Sequence, residues 1–240
     1  MQLRARIKGN GLTFPLFNFN PDEPGVDRVE IEGPSGNEVL GSVHLTSVAS
    51  QADGLAIARK VIEAALNRIC FFYGVAIENG QVIDTAFSPI DPQPGVFPVE
   101  AGHYAIIGAE AKMEVNVPPE RLRALLEQAS PPGERNFALF RLARQSSSPV
   151  EEFTVLYSVL LMLLGDRQAS VDTFILRGEP SVPRTPDPRN AAVMETVYTR
   201  LRNELAHRRP GVDLRKTVAE MAANVGGLRT LTRRAIELHP

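Results

Sequence analysis

Arg202, Asn203 and His207 put a guanidinium, a carboxamide and an imidazole close together near the end of a predicted helix. An imidazole of ordinary acidity can take up and release protons near neutral pH. A guanidinium offers paired N–H donors to phosphate oxygens, and charge developing on those oxygens would be stabilised by it. The Asn203 amide is suited to orienting such a site. At helical spacing Asn203 and His207 share a face and Arg202 lies further round the cylinder. Glu195, seven residues before Arg202, falls two turns up on the same side. Residues of these types could hold a phosphate group and move a proton beside it.

The element that must carry these groups is a helix predicted over Arg189 to Arg208 and stopped by Pro210-Gly211. Before it, Gly178 to Pro188 holds four prolines and reads as a loop. Further back, Ser148-Pro149 opens a helix that runs to Gly165. Its Phe153, Leu156, Tyr157, Leu160, Leu161, Leu163 and Leu164 are apolar nearly all round, as at the centre of a bundle. Val171 to Leu176 continues as helix. Shorter helices are predicted over Glu120 to Gln128 and Glu134 to Arg144. Two more, Asp213 to Asn224 and Leu228 to Leu238, are expected on either side of a break at Gly226-Gly227. No strand is predicted after Pro118-Pro119.

The first half reads differently. Leu3 to Ile7, Val29 to Glu32 and Leu40 to Val48 carry the alternation of an antiparallel meander. Leu55, Ala58, Val61, Ile62, Ala65, Leu66 and Ile69 recur at helical spacing between Gln51-Ala-Asp53 and Gly74, giving one helix to cover the sheet. Asn79-Gly80 is a hairpin signal. A Pro-rich loop from Pro89 to Pro98 leads to a last strand near Tyr104 to Val117. The expected fold class is α+β: residues 1–117 as an antiparallel sheet with a covering helix, then residues 118–240 as an all-helical bundle.

Arg202-Asn203, three residues, then His207, closing a long helix behind the acidic Glu195, resembles the signature of HEPN (higher eukaryotes and prokaryotes nucleotide-binding) domains. Glu-Thr-x-Tyr-Thr-x-Leu-Arg-Asn over residues 195 to 203, behind a strand-rich half, is also similar to the methylamine utilization protein MauJ family. The first resemblance implies metal-independent RNA cleavage with Arg202 and His207 in the catalytic positions, Asn203 orienting and Glu195 supporting. It also implies a homodimer through the helical half, with the two motifs facing one another. The second implies a noncatalytic accessory role in which the N-terminal half binds a protein partner or small ligand. One departure stands out: HEPN toxins modified by a partner nucleotidyltransferase carry a tyrosine two residues after the histidine, where this chain has Arg209.

Composition narrows the field. The 240 residues carry a formal charge of −2, with 43% hydrophobic and 22% charged residues, a balance that argues against broad nonspecific nucleic-acid binding. Any RNA contact must be local. Between positions 200 and 216, Arg200, Arg202, Arg208, Arg209, Arg215 and Lys216 face only Glu204 and Asp213, a net +4. The helix end at His207, Arg208 and Arg209 equally suits the C-terminal pole of a helix dipole, and Glu195 or Glu204 could pair with Arg202 or Arg208 in solvated networks. Cys70 is the only cysteine and sits in an apolar run, which predicts burial. His44 and His103 lack ligand-spaced partners, so neither a metal nor another cofactor is expected. No stretch is apolar enough to span a membrane and no signal-peptide core is present, which predicts a cytoplasmic protein.

Overall fold

The structure is a computed structural model that describes residues 2–8, 11–35, 38–46, 48–78, 80–84, 114–128, 133–207, 209 and 211–239. The expected loop from Pro89 to Pro98, most of the strand near Tyr104 to Val117, and His103 lie outside these residues. The architecture is mixed α+β and mostly helical. It divides into two compact units, residues 1–134 and 135–240.

In the first unit, β1 (Gln2–Lys8), β2 (Gly11–Thr13), β3 (Phe17–Phe19), β4 (Val26–Ser35) and β5 (Glu38–Leu45) precede helix α1 (Gln51–Tyr73); β6 (Ala76–Ile77), β7 (Gln81–Asp84) and β8 (Glu114–Asn116) follow it. The main sheet has the order β3-β4-β5-β1-β6, every pair antiparallel. Alternation sets its inner face, where Phe17, Phe19, Val29, Ile31, Val39 and Val43 are buried. The α1 residues Ala58, Val61, Ile62, Ala65, Leu66 and Ile69 are buried as their spacing predicts, and the helix packs against β5 and β6. Ser50 caps α1 by accepting the Asp53 N–H at 3.1 Å, and Gly74 ends it at φ 68°, a conformation that favours glycine. Cys70 is buried in the same helix, as its apolar neighbours predict.

Two expectations for this unit are corrected. The segments on either side of Asn79-Gly80 do not form a hairpin with one another, because β6 and β7 each pair antiparallel with β1, Ile77 opposite Ile7 and Val82 opposite Leu3. The edge of β1 offers both segments a ladder, and Gly80 donates its N–H to the Glu63 carboxylate at 3.1 Å. In addition β2 and β8 form a separate parallel pair, so the sheet region is not wholly a meander. Helix α2 (Pro119–Glu127) belongs to this unit, packing on β3 and α1 with Leu122 and Leu126 buried.

The second unit contains α3 (Glu134–Gln145, all but its first residue), α4 (Pro149–Leu163), α5 (Gln168–Gly178), strands β9 (Arg184–Asp187) and β10 (Asn190–Thr196), α6 (Val197–Ala206) and α7 (Leu214–Leu238). The apolar α4 is capped by Ser148, packs most extensively on α7, and also meets α5 and α6. Phe153, Leu156, Tyr157, Val159 and Leu160 are buried there.

Here too the structure corrects the sequence reading. Residues 184–196 form an antiparallel hairpin, with Glu195 opposite Thr185 and Thr196 opposite Arg184, so the motif helix begins at Val197 instead of Arg189. Thr196 sets that start, since its Oγ1 caps the helix and its N–H is held by Asp172. Gly226-Gly227 does not interrupt α7, which runs unbroken through both. Gly227 is required by a close approach: a Cβ there would stand 2.2 Å from the Tyr198 Oη on α6.

Candidate functional site

The motif residues separate into a buried group and an open one. Glu195 is the penultimate residue of β10 and is fully buried, and it does not lie on the helix two turns above Arg202 as the spacing suggests. Its carboxylate nevertheless reaches the helix. Oε1 accepts from Asn203 Nδ2 at 2.7 Å and from Gln168 Nε2 at 3.3 Å, while Arg209 binds both carboxylate oxygens at 2.8 Å each. Burial alone would raise the Glu195 carboxyl, but Arg209, Asn203 and Gln168 together hold it below its ordinary value.

The Asn203 amide is fully employed. Its Nδ2 gives one hydrogen to Glu195 and another to Gln168 Oε1 at 3.0 Å, and its Oδ1 accepts from Arg202 Nη1 at 2.9 Å. Instead of bonding helix-end backbone, the Asn203 side chain therefore links the buried carboxylate to the guanidinium next to it.

Arg202 is half-buried. One N–H goes to Asn203, and the guanidinium carbon sits 6.0 Å from the centroid of the Tyr157 ring, at the limit of a cation–π contact. Among the described residues no carboxylate forms an ion pair with it. The Tyr157 ring is positioned from behind: Thr199 Oγ1 donates to Asp172 Oδ1 at 2.7 Å, so Tyr157 Oη is the donor in its 2.8 Å bond to Thr199. Asp172 Oδ1 also takes the N–H and hydroxyl of Thr196. Burial pushes the Tyr157 phenol well up, so it remains a neutral donor. Asp172, Thr199 and Tyr157 thus join α5, α6 and α4 beneath Arg202.

His207 belongs to the open group. It is exposed, has extended backbone angles of −127° and 130°, and donates its own N–H to the Asn203 carbonyl at 2.9 Å. Among the described residues its imidazole has no hydrogen-bond partner. The helix ends at Ala206, so Asn203 and His207 do not continue one helical face together.

The +4 stretch is less available than its sequence suggests. Arg200 pairs with Glu204 at 2.7 Å and with Glu220, Arg209 with Glu195, and Lys216 lies 3.9 Å from Glu220. Arg208 lies outside the described side chains. The carboxylates Glu195 and Glu220, one before this stretch and one after it, neutralise much of its charge.

Sequence reading missed Gln168, Asp172 and Thr199, and took Tyr157 as core alone. Asp172, between Val171 and Ile175 on the buried side of α5, was the readable signal, since a buried carboxylate needs donors. Among the described residues, no group of three or more His, Cys, Asp or Glu side chains is placed to hold a metal ion, and no helix is long and apolar enough to cross a membrane. No family model, curated protein or solved structure matches the chain.

Proposed function

We propose that the helical unit is a HEPN-like RNA-binding or RNA-cleaving module in which Arg202 holds a phosphate and His207 transfers protons. Two chains would pair through this unit and bring their motifs together. The observation that carries the reading is the different fate of neighbouring cations. Arg200 and Arg209 are committed to carboxylates, whereas Arg202 is oriented by an amide oxygen and an aromatic face and keeps its charge unneutralised. A guanidinium with one N–H fixed and the others free is preorganised for phosphate oxygens.

In the cleaving form, one imidazole removes the 2′-hydroxyl proton as that oxygen bonds to phosphorus. The 5′-oxygen leaves, receiving a proton from an imidazolium, and a 2′,3′-cyclic phosphate remains. Glu195, Asn203 and Arg209 act as positioning residues, since they fix the end of the helix that carries the two working groups.

A second reading is a noncatalytic MauJ-like accessory protein. It is favoured by the mutual satisfaction of Glu195, Arg209, Asn203 and Gln168, an arrangement that needs no ligand. The test is incubation of mixed RNA with purified protein in chelator, beside Arg202→Ala and His207→Ala. Cleavage by the wild type that both substitutions abolish supports the first reading. RNA that neither binds nor is cut supports the accessory one.

A further inference from the structure

The first unit contains a cavity of about 110 Å³ that is independent of Arg202 and His207. Phe19 from β3, Val61 and Ala64 from α1 and Leu126 from α2 give it apolar walls. Arg68 also lines it and is only 6% exposed. Its Nη1 donates to the carbonyls of Leu126 at 3.0 Å and Gln128 at 2.8 Å, which have no partner within the ending helix. That bond set fixes the guanidinium plane.

The opposite edge of the guanidinium is left over. Nε is buried with no hydrogen-bond partner among the described residues, and Glu134 Oε1 stands 3.7 Å away, beyond hydrogen-bond range. Burial pulls the Arg68 guanidinium below its ordinary value, against the attraction of Glu134. A buried donor of this kind calls for an acceptor. The remaining charges have a different bias: Asp22, Glu23 and Glu134 border the cavity against Lys60 and Arg68, and Lys60 is bound to Glu23 at 2.7 Å.

We propose that this cavity binds a small zwitterion of the amino-acid class, its carboxylate on the Nε–Nη2 edge of Arg68 and its ammonium toward Asp22 and Glu134. Two parallel N–H groups match a carboxylate bidentately. A carboxylate alone would place a second negative charge beside Glu134, and an ammonium alone would leave Nε unmet. Only a ligand carrying both groups answers both ends. The apolar walls accept a short aliphatic side chain, and a cavity of about 110 Å³ admits only a small ligand.

The probe is L-valine, titrated into the 240-residue protein by ligand-observed NMR, with isovalerate (valine without its ammonium) and isobutylamine (valine without its carboxylate) as its two halves. Valine is expected to bind in the weak range usual for so small a ligand, with each half bound at least about 10-fold less tightly. Arg68→Lys keeps the charge but removes the planar edge, and Ala64→Phe fills the cavity. Both should abolish binding. Should Arg68→Lys melt early, Ala64→Phe with an unchanged melt decides: lost binding supports the site, retained binding overturns it. Absence of valine binding, or isobutylamine bound as tightly as valine, also overturns it; the first outcome would mean that Glu134 simply closes on Arg68 as a structural pair.

Discussion

Arg202 and Arg209 lie seven residues apart near the end of one helix, yet their surroundings are opposite. Arg209 grips a fully buried carboxylate through two nitrogens; Arg202 gives one N–H to an amide and lies near a ring. The difference follows from where the acid is. Glu195 arrives from β10 and not from the helix, so it meets the chain beyond the helix end, and among the described residues no carboxylate pairs with Arg202. Stability is concentrated at Arg209, and free charge at Arg202. Arg209 thereby anchors the end of the helix.

The largest effect should come from breaking the buried side of the comparison. Arg209→Ala leaves Glu195 charged and unpaired, and loss of one partner of a buried pair costs about 3–5 kcal/mol, measurable by urea unfolding. Glu195→Gln combined with Arg209→Ala should be less damaging than Arg209→Ala alone, because no buried charge then remains. The Glu195 contribution to the pH dependence should change sign between the two proteins. In the wild type, Glu195 and Glu152 both have folded values below their ordinary ones, the latter because Arg229 and Arg144 outweigh its burial. Their stabilisation is therefore complete above the unfolded value of about 4.3 and is lost as pH falls through the lower folded values. In Arg209→Ala the burial of Glu195 dominates, its folded value rises, and the deficit relative to wild type should shrink as pH falls. A deficit that is constant from neutral pH to about pH 4 would show that Arg209 acts through packing and not through charge.

How much of this was readable beforehand depends on the range of the interactions. Helix α1 was legible because its determinants are local: apolar residues at helical spacing, a polar start beside Asp53, and Gly74 at the end. The β9–β10 hairpin was not, because Pro183, Pro186 and Pro188 argue against strands. A two-stranded ribbon tolerates proline, since part of each strand's N–H groups face outward. Once those residues are extended, Glu195 leaves the helix and its pairing with Arg209 spans 14 positions that no periodicity links. Arg202, Asn203 and His207 were recognisable by type; that Asn203 faces inward and His207 outward was not, because helix termination at Ala206 decides it.

A committed face beside an open one recurs at Gly226-Gly227, which resembles a helix break in sequence. Gly227 faces Tyr198, whose hydroxyl is held by Glu179 at 2.9 Å and so cannot easily withdraw from a new methyl group. Gly227→Ala should cost about 1–3 kcal/mol by overpacking. A methyl group added at Gly226 would meet nothing within 4 Å, and Gly226→Ala should stabilise the helix by about 0.5–1 kcal/mol. Thermal melts of the two variants should therefore move in opposite directions. Shifts of the same sign would mean that α6 and α7 are not as closely apposed at Tyr198 as these distances require.

The smallest change in stability is expected on the open side. His207→Ala removes an exposed side chain with no hydrogen-bond partner among the described residues, so unfolding should shift by no more than about 0.5 kcal/mol. Arg202→Ala also loses the Tyr157 contact and the bond to Asn203, which together remain near about 1 kcal/mol because the guanidinium is only half-buried. Arg202→Lys separates charge from geometry: it keeps a cation near the ring but loses the planar fork, which meets Asn203 and whose shape suits a phosphate. If RNA is the ligand, the lysine variant should bind it more weakly than wild type and more strongly than alanine, and added salt should narrow all three. The three variants should meanwhile melt within a few degrees of one another. A large stability loss at Arg202 with RNA affinity unchanged would place that residue with Arg209 as scaffold, and the contrast between the two guanidiniums would no longer mark a binding site.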